Sequence, residues 1–230
     1  MIYITGDKHR DFSGVHAFCR EHQTTKDDLM IVLGDAGINY LGDERDDEIK
    51  RYISRIPITF FCIHGNHEMR PWNVNGCVRE KFYGAEAFTQ EQYPSIFYGI
   101  DGQVYDFKGI QVLVAGGAYS VDKYYRLEKG LRWFQDEQPS DEIKQDIDRA
   151  IDEHKNIHVV MSHTCPYKFT PFDRFLPGID QSTVDNSTEK YLDTVEERVG
   201  YWRWYCGHWH IDRTVDRVRF VFNDIIEIGD

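Results

Sequence analysis

Five apolar segments of this chain each lead directly into a short loop rich in Gly, Asp, Asn and His, and this recurrence restricts the fold more than any other feature. The clearest case is Ile58 to Ile63, a run of β-branched, aromatic and apolar residues followed by His64-Gly-Asn-His-Glu68. Burying a strand does not require such a polar loop. Loops at strand ends are where α/β proteins place their binding and catalytic groups. We therefore expect an α/β fold whose functional groups gather at the ends of strands.

The first half of the chain alternates predicted strands with predicted helices, which favours parallel strands. Apolar residues at helical spacing predict a helix from about Ser13 to His22. An acidic first turn and a later Pro57 predict a second helix over residues 43–56. The strands of this half are predicted at residues 1–5, 29–33 and 58–63.

The second half contains longer runs of strand signals without helices, which predicts antiparallel pairing between residues 96 and 115. Ser140, followed by an apolar stripe, predicts the start of a helix. Asn186-Ser-Thr-Glu189 predicts a further short helix with a capping box. Other strands are predicted at 157–161, 201–206, 217–222 and 224–228, and irregular segments at 69–95, 116–139 and 165–185. Two mixed sheets packed together, with helices outside them, is the simplest architecture for these elements.

Length and composition bound the class of protein. A chain of 230 residues suits a single α/β domain over residues 1–230. The net charge of -12 argues against a surface that binds duplex nucleic acid. The N-terminus lacks a signal-peptide pattern, and no apolar run approaches the ~20 residues of a membrane span. The five cysteines form no CxxC pair, which predicts reduced thiols in a cytoplasmic protein.

The polar residues at the five strand ends have the character of metal ligands. They offer carboxylate or amide oxygens and imidazole nitrogens without thiolate, a donor set that suits Mn, Fe or Zn. The donors are too many for one tetrahedral ion, whereas two ions about 3.5–4 Å apart with a shared Asp would use them. Side chains two apart on an extended backbone point the same way, so Asp7 and His9 are expected to reach one ion. The strand-end residues are Asp7, His9, Asp35, Asn66, His67, His163, His208 and His210.

The motifs that carry these residues resemble the five signatures of the calcineurin-like metallophosphoesterases. In the family's order, and each after a predicted strand, they are Gly6-Asp-x-His9, Gly34-Asp35, Gly65-Asn-His-Glu68, Ser162-His163 and Gly207-His-x-His210. The resemblance implies a four-layer α/β/β/α sandwich with two mixed β-sheets and a dinuclear metal site at its rim. It assigns the first metal to Asp7, His9 and His210, and the second to Asn66, His163 and His208. It makes Asp35 the bridging ligand and His67 the histidine near the leaving group.

The implied activity is hydrolysis of phosphate mono- or diesters that depends on two divalent or trivalent metal ions. A hydroxide between the metals would attack phosphorus, Asn66 and the metals would neutralise the phosphate oxygens, and His67 would assist the leaving alkoxide. The acidity of the chain favours a small molecule, a nucleotide or a phosphopeptide as the substrate. The alternatives are a nuclease on the same fold and a catalytically inactive scaffold that binds protein partners. The sequence leaves the oligomeric state open.

The sequence departs from the family's pattern at two positions. Arg10 stands where many members have Gly. Ile38 stands where the protein phosphatases carry a second Asp that orients the catalytic histidine. We therefore expect Glu68, Asn39 or a backbone carbonyl to orient His67.

Substrate contacts are expected from the irregular segments of the chain. Because arginine can bind phosphate through two hydrogen bonds, Arg126 and Arg174 join Arg10 as candidate substrate-binding residues. Trp202, Trp204 and Trp209 are expected to pack in the core or at the rim of the site rather than to stack on a base.

Overall fold

The computed structural model describes residues 1–175 and 177–229, and these residues form two β-sheets. In order across the first sheet, the seven strands are β13 (Ile226–Glu227), β1 (Ile2–Thr5), β2 (Leu29–Val32), β3 (Thr59–Cys62), β6 (Ile96–Gly99), β5 (Ala85–Gln90) and β4 (Cys77–Phe82). Strands β1, β2, β3 and β6 are parallel, whereas β13, β5 and β4 pair in antiparallel fashion. The first sheet is therefore mixed, as predicted.

The second sheet has six strands within the same described residues. In order they are β11 (Arg213–Val215), β12 (Val218–Phe220), β10 (Arg203–Cys206), β9 (Val159–Ser162), β8 (Ile110–Ala115) and β7 (Val104–Phe107). Strands β12, β10, β9 and β8 are parallel, and the edge strands β11 and β7 are antiparallel to their neighbours. This sheet is also mixed.

Five α-helices lie among the described residues, and a side chain caps the start of two of them. They are α1 (Ser13–His22), α2 (Glu44–Ile53), α3 (Lys123–Lys129), α4 (Asp141–Glu153) and α5 (Ser187–Arg198). The side chain of Asp43 accepts a hydrogen bond from the Arg45 N–H at the start of α2. Ser140 accepts one from the Ile143 N–H at the start of α4, as predicted.

Alternation along the strands creates the layers of the fold. Leu29 and Ile31 of β2 belong to the core between the two sheets, whereas Met30 and Val32 belong to the core beneath α1 and α2. Each such fully buried side chain contributes about 1.5–3 kcal/mol. The outer face of the second sheet packs on α4 and α5, with Trp204 at its centre. The result is the four-layer α/β/β/α sandwich that the resemblance implied.

The prediction that residues 69–95 are irregular is wrong, because they contain the hairpin of β4 and β5. The two-residue turn is Tyr83-Gly84, whose φ values of 47° and 86° are both positive, as in a type I′ turn. Most of β4 is exposed at the sheet edge, and its charged residues obscure the alternation that marks a strand. The segment 116–139 likewise contains α3, which has no buried residue.

Three smaller expectations also change. The run that begins at residue 96 was expected to be antiparallel throughout; β7 and β8 are, but β6 runs parallel to β3 in the first sheet. Helix α2 ends at Ile53, before the expected end at residue 56. The capping box predicted at Asn186 does not form, because Glu189 instead accepts a hydrogen bond from Thr164 Oγ1 at 2.9 Å.

The remaining expectations concern loops, tryptophans and membranes. The predicted loop at 165–185 contains short 3-10 turns, and its residue 176 lies outside the described residues. Trp204 is buried in the core as expected, Trp202 is exposed, and Trp209 is partly buried beside a cavity. Among the described helices, none combines the length and the apolar character needed to cross a bilayer.

Candidate metal centre

The loops that follow β1, β2, β3, β9 and β10 meet at one edge of the two sheets. Parallel neighbours end on the same side of a sheet, which gathers the first three loops and the last two. Hydrogen bonds then join the two sets: the His208 N–H donates to Asp7 Oδ1 at 2.8 Å, and His163 Nδ1 lies 2.7 Å from the Leu33 carbonyl oxygen. All eight strand-end side chains identified in the sequence therefore converge.

Three of these side chains form one set of donors, the Asp7 group, which consists of Asp7, His9 and His210. Their ligand atoms all lie within 4.8 Å of one another. The Nε2 atoms of the two histidines are 3.0 Å apart, and Asp7 Oδ2 lies 3.3 Å from His210 Nε2 and 3.9 Å from His9 Nε2. Asp7 is buried and both histidines are exposed, so the group lies at the rim of the sandwich.

A second set of donors, the Asn66 group, consists of Asn66, His163 and His208. Asn66 Oδ1 lies 2.8 Å from His163 Nε2 and 3.0 Å from His208 Nδ1. Since His163 Nδ1 must donate to the Leu33 carbonyl, Nε2 of the neutral ring carries a lone pair. The Asn66 oxygen also has only lone pairs, so two electron-rich atoms face each other. A proton or a cation between them would remove this repulsion.

Asp35 lies between the two groups. Its Oδ2 atom is 4.0 Å from His9 Nδ1, and its Oδ1 atom is 3.8 Å from His163 Nε2. Oδ1 also accepts a hydrogen bond from the His67 N–H at 2.8 Å. One buried carboxylate therefore presents one oxygen towards each group, which is the arrangement that a bridging ligand needs.

The donor atoms fit metal ions chemically. No described residue donates a hydrogen bond to the buried Oδ2 atom of Asp7, and such an unpaired oxygen is costly unless an ion or a proton binds it. Burial opposes the ionisation of Asp7, but the neighbouring imidazoles, first that of His210, outweigh it and lower the pKa. Burial lowers the pKa of His208 well below its usual value, which keeps this ring neutral, as a metal ligand must be.

Close backbone approach and left-handed turns build the site. A Cβ atom on Gly65 would lie 2.1 Å from Asp35 Oδ1, and one on Gly207 would lie 2.4 Å from Asp7 Oδ1, so neither position has room for a side chain. Four candidate ligands have φ between 44° and 65°, namely His9, Asp35, His208 and His210. Such backbone costs about 1–2 kcal/mol per residue and concentrates at functional sites. The prediction of extended backbone at His9 is therefore wrong. A left-handed turn instead directs the His9 side chain towards Asp7 and His210.

A buried chain of hydrogen bonds that sequence reasoning missed fixes the amide of Asn66. Asn66 Nδ2 donates to Ser120 Oγ at 2.9 Å, and Ser120 Oγ donates to Glu137 Oε2 at 2.5 Å. The Ser120 N–H also donates to Glu137 Oε1 at 3.1 Å. Because Glu137 takes the hydroxyl proton, Ser120 must accept from the amide nitrogen, which leaves Asn66 Oδ1 facing the two histidines. Neither Ser120 nor Glu137 belongs to a recognisable sequence motif, and both lie in a segment predicted to be irregular.

Replacement of Ser120 by Ala is expected to weaken metal binding or lower kcat/KM about 10–100-fold, the range typical of groups that orient metal ligands. Without the serine, the Asn66 amide can rotate and present its NH2 group to the site. Metal content after dialysis against a limiting concentration of chelator, together with kcat/KM, measures the effect. Ser13→Ala, at an exposed serine of α1, serves as the control. Metal binding and kcat/KM both equal to those of the control would contradict this role.

His67 lies beside both donor groups and belongs to neither. Its Nε2 atom is 3.3 Å from Arg126 Nη2, and Asp122 holds Arg126 through an ion pair at 2.8 Å. Within the described residues, neither Glu68, Asn39 nor a backbone carbonyl makes a hydrogen bond to this ring, contrary to expectation. Burial lowers the pKa of His67, so the neutral ring can accept the hydrogen bond from Arg126.

The candidate substrate residues differ in where they lie. A cavity of about 510 Å³ opens beside the centre, and Arg174 lines it with an exposed side chain. Arg126 lies close to the centre through its contact with His67. Arg10 instead donates to Asp46 Oδ1 at 2.6 Å and to the Gly37 carbonyl at 3.0 Å, and it is not among the residues that line the cavity.

Comparisons with known proteins bear on the family and the fold of the chain. A family model for calcineurin-like phosphoesterase matches residues 1–212. One solved crystal structure has a TM-score of 0.56 and 13% sequence identity, and the alignment covers 96% of this chain and 88% of that one, which supports the fold. The crystal structure of TT1561 of Thermus thermophilus has a TM-score of 0.49 and 13% identity, with 90% of this chain and 80% of that one covered. No curated protein matches the sequence.

Proposed function

Because the chain belongs to the calcineurin-like phosphoesterase family, we propose that its Asp7 and Asn66 groups form a dinuclear centre that hydrolyses small phosphate esters. Family membership and the candidate ligand sets support a metal-dependent phosphoester hydrolase in general. The observation that carries the specific proposal is the position of Asp35, whose two oxygens face two separate sets of donors. A purely structural carboxylate would have no need of an imidazole-rich group on each side.

In this proposal each side chain has a defined role at the centre. The Asp7 group would hold one ion, the Asn66 group would hold the other, and Asp35 would be shared between them. Two bound cations supply Lewis acidity and lower the pKa of a nucleophilic water. Carboxylate, amide and imidazole donors without thiolate suit Mn, Fe or Zn.

The remaining polar groups act on the substrate. Asn66 uses one amide hydrogen for Ser120, which leaves the second free to donate to a phosphate oxygen. His67 donates a hydrogen bond from its ring N–H to the departing alcohol oxygen. Arg126, next to the His67 ring, can bind another phosphate oxygen, and Arg174 can do so from the cavity wall.

The test is hydrolysis of 4-nitrophenyl phosphate and bis(4-nitrophenyl) phosphate by the pure protein. We expect about two metal ions per chain, loss of activity on chelation and recovery when Mn²⁺, Fe²⁺ or Zn²⁺ is returned. The faster of the two esters then decides between a phosphatase and a phosphodiesterase. Full activity in thoroughly demetallated protein would refute the proposal.

The same preparation separates the two alternative functions. Degradation of single-stranded DNA or RNA, with little action on either nitrophenyl ester, would indicate a nuclease. A protein that binds no metal and stays inert after addition of Mn²⁺ would indicate a non-catalytic scaffold. The net charge of -12 opposes polyanion binding, which favours the small ester.

A further inference from the structure

An aromatic wall extends along the cavity beside the proposed centre. It consists of Tyr167, Phe172, Phe175 and Trp209, all of which line the cavity of about 510 Å³. Neighbouring ring centroids are 6.1 Å apart for Tyr167 and Phe172, 5.3 Å for Phe172 and Phe175, and 6.0 Å for Phe175 and Trp209. The Trp209 ring lies 5.4 Å from that of His208, a member of the Asn66 group. The wall is therefore continuous from the exposed Phe172 to the centre.

Four further apolar or aromatic side chains line other parts of the cavity. Tyr119, Val121, Ile179 and Val184 line it, and the Tyr119 hydroxyl donates to the Thr183 carbonyl at 3.3 Å, which joins two of the enclosing loops. Pockets that take organic ligands of drug size span about 300–1,000 Å³, so this one has far more space than a phosphate group needs. The additional space suits the alcohol part of an ester.

The charges in the cavity limit the substrate to a single phosphate group. Asp122, Asp185 and Glu189 line the cavity outside the two donor groups. Among the described lining residues, Arg174 is the one arginine or lysine. Asp122 is paired with Arg126, and burial raises the pKa of Glu189 to about 7, so these two carboxyl groups repel an anion only in part. A second phosphate, or the next nucleotide of a strand, would still face Asp185 with Arg174 as the one cationic side chain among the described lining residues.

We propose that the substrate is an ester of a single phosphate group, of which the monoester is the simplest form, and that its alcohol carries an uncharged aromatic ring that packs against the aromatic wall. The proposal rests on the function proposed above. Aromatic pairs favour offset and edge-to-face contacts with centroids about 4.5–7 Å apart, and a row of rings offers both. Hydrolysis forms a P–O bond to water and breaks the P–O bond to the alcohol. For the monoester the products are orthophosphate and the alcohol, which takes up a proton.

The test compares three alkyl phosphates whose leaving groups are all primary alcohols of similar acidity. They are 2-(1-naphthyl)ethyl phosphate, 2-cyclohexylethyl phosphate and butyl phosphate, assayed with the Mn²⁺-loaded protein. Because the leaving groups match, differences in KM report the cavity rather than the chemical step. We expect the KM of the naphthyl ester to be about tenfold lower than that of butyl phosphate and lower than that of the cyclohexyl ester.

A matched pair of variants tests the wall itself. Phe172 and Tyr125 are each 57% exposed, but Tyr125 belongs to α3 and is not among the residues that line the cavity. Phe172→Ala should raise the KM of the naphthyl ester several-fold and that of butyl phosphate by a smaller factor. Tyr125→Ala should change neither value.

The outcomes distinguish this inference from the proposed function. Equal KM values for the three esters would overturn the inference and leave the phosphoesterase function standing. Equal values for the naphthyl and cyclohexyl esters alone would overturn the aromatic class, because any apolar group would then suffice. If neither these three esters nor the two nitrophenyl esters are hydrolysed, the proposed function fails. Calorimetry with 2-(1-naphthyl)ethylphosphonate and butylphosphonate then tests the wall separately, and equal affinities would overturn it.

Discussion

Replacement of His67 by Ala is expected to lower kcat about 10²–10⁴-fold while the protein keeps its bound metal. The imidazole lies outside both donor groups, and its Nε2 atom contacts Arg126, so its loss removes no candidate ligand. What is lost is the hydrogen that stabilises the departing alcohol oxygen. Elemental analysis measures the bound metal, and steady-state kinetics on the same samples measures kcat for each ester.

The choice of leaving group makes the His67 experiment specific. Nitrophenolate is a stable anion that needs little protonation, whereas an alkoxide needs a proton donor. The loss of kcat should therefore be larger for butyl phosphate than for 4-nitrophenyl phosphate. His16→Ala, a histidine of α1 outside the centre, should behave as the wild type. Equal losses on the two esters, or loss of metal from His67→Ala, would contradict the assigned role.

Replacement of Asp35 by Asn is expected to reduce the metal content below two ions per chain and to lower kcat/KM by about 10³-fold or more. The variant keeps the shape of the side chain but removes the charge that both donor groups share. Metal ions contribute several kcal/mol of transition-state stabilisation, and each 1.4 kcal/mol corresponds to about tenfold in rate. Elemental analysis and steady-state kinetics measure the two effects.

Stability measurements distinguish this effect of Asp35→Asn from misfolding. In the metal-free protein the buried carboxylates of Asp7 and Asp35 lie within one 4.8 Å donor set, where like charges disfavour each other. Removing one charge should leave the melting temperature in chelator unchanged or raise it. Asp27→Asn, at an exposed carboxylate, provides the control. If Asp35→Asn binds two ions as the wild type does, Asp35 is not a bridging ligand.

The hairpin of β4 and β5 shows which kind of element local sequence signals do not predict. Helix α1 matches its predicted bounds, and Ser140 caps α4 as predicted, because helical spacing and caps are properties of neighbouring residues. The edge strand β4 has mostly exposed and charged residues, so its pairing with β5 and not its own composition makes it a strand.

The same division applies to the candidate centre. The sequence marked all eight strand-end side chains, since each follows an apolar run and sits in a recognisable motif. It did not mark Ser120, which contacts Asn66 from a segment far along the chain, or Glu137, which accepts hydrogen bonds from Ser120. The Arg126 contact to the His67 ring was missed for the same reason.

The sequence by itself determined the class of fold and the kinds of donor atoms at the ends of five strands, because apolar spacing and side-chain chemistry are properties of individual residues and their near neighbours. The tertiary structure alone decided that Asp35 has one oxygen towards each donor group. It also decided that four rings form a wall beside the centre. Both arrangements depend on left-handed turns and on contacts between distant loops, and neither leaves a periodic or local pattern in the chain.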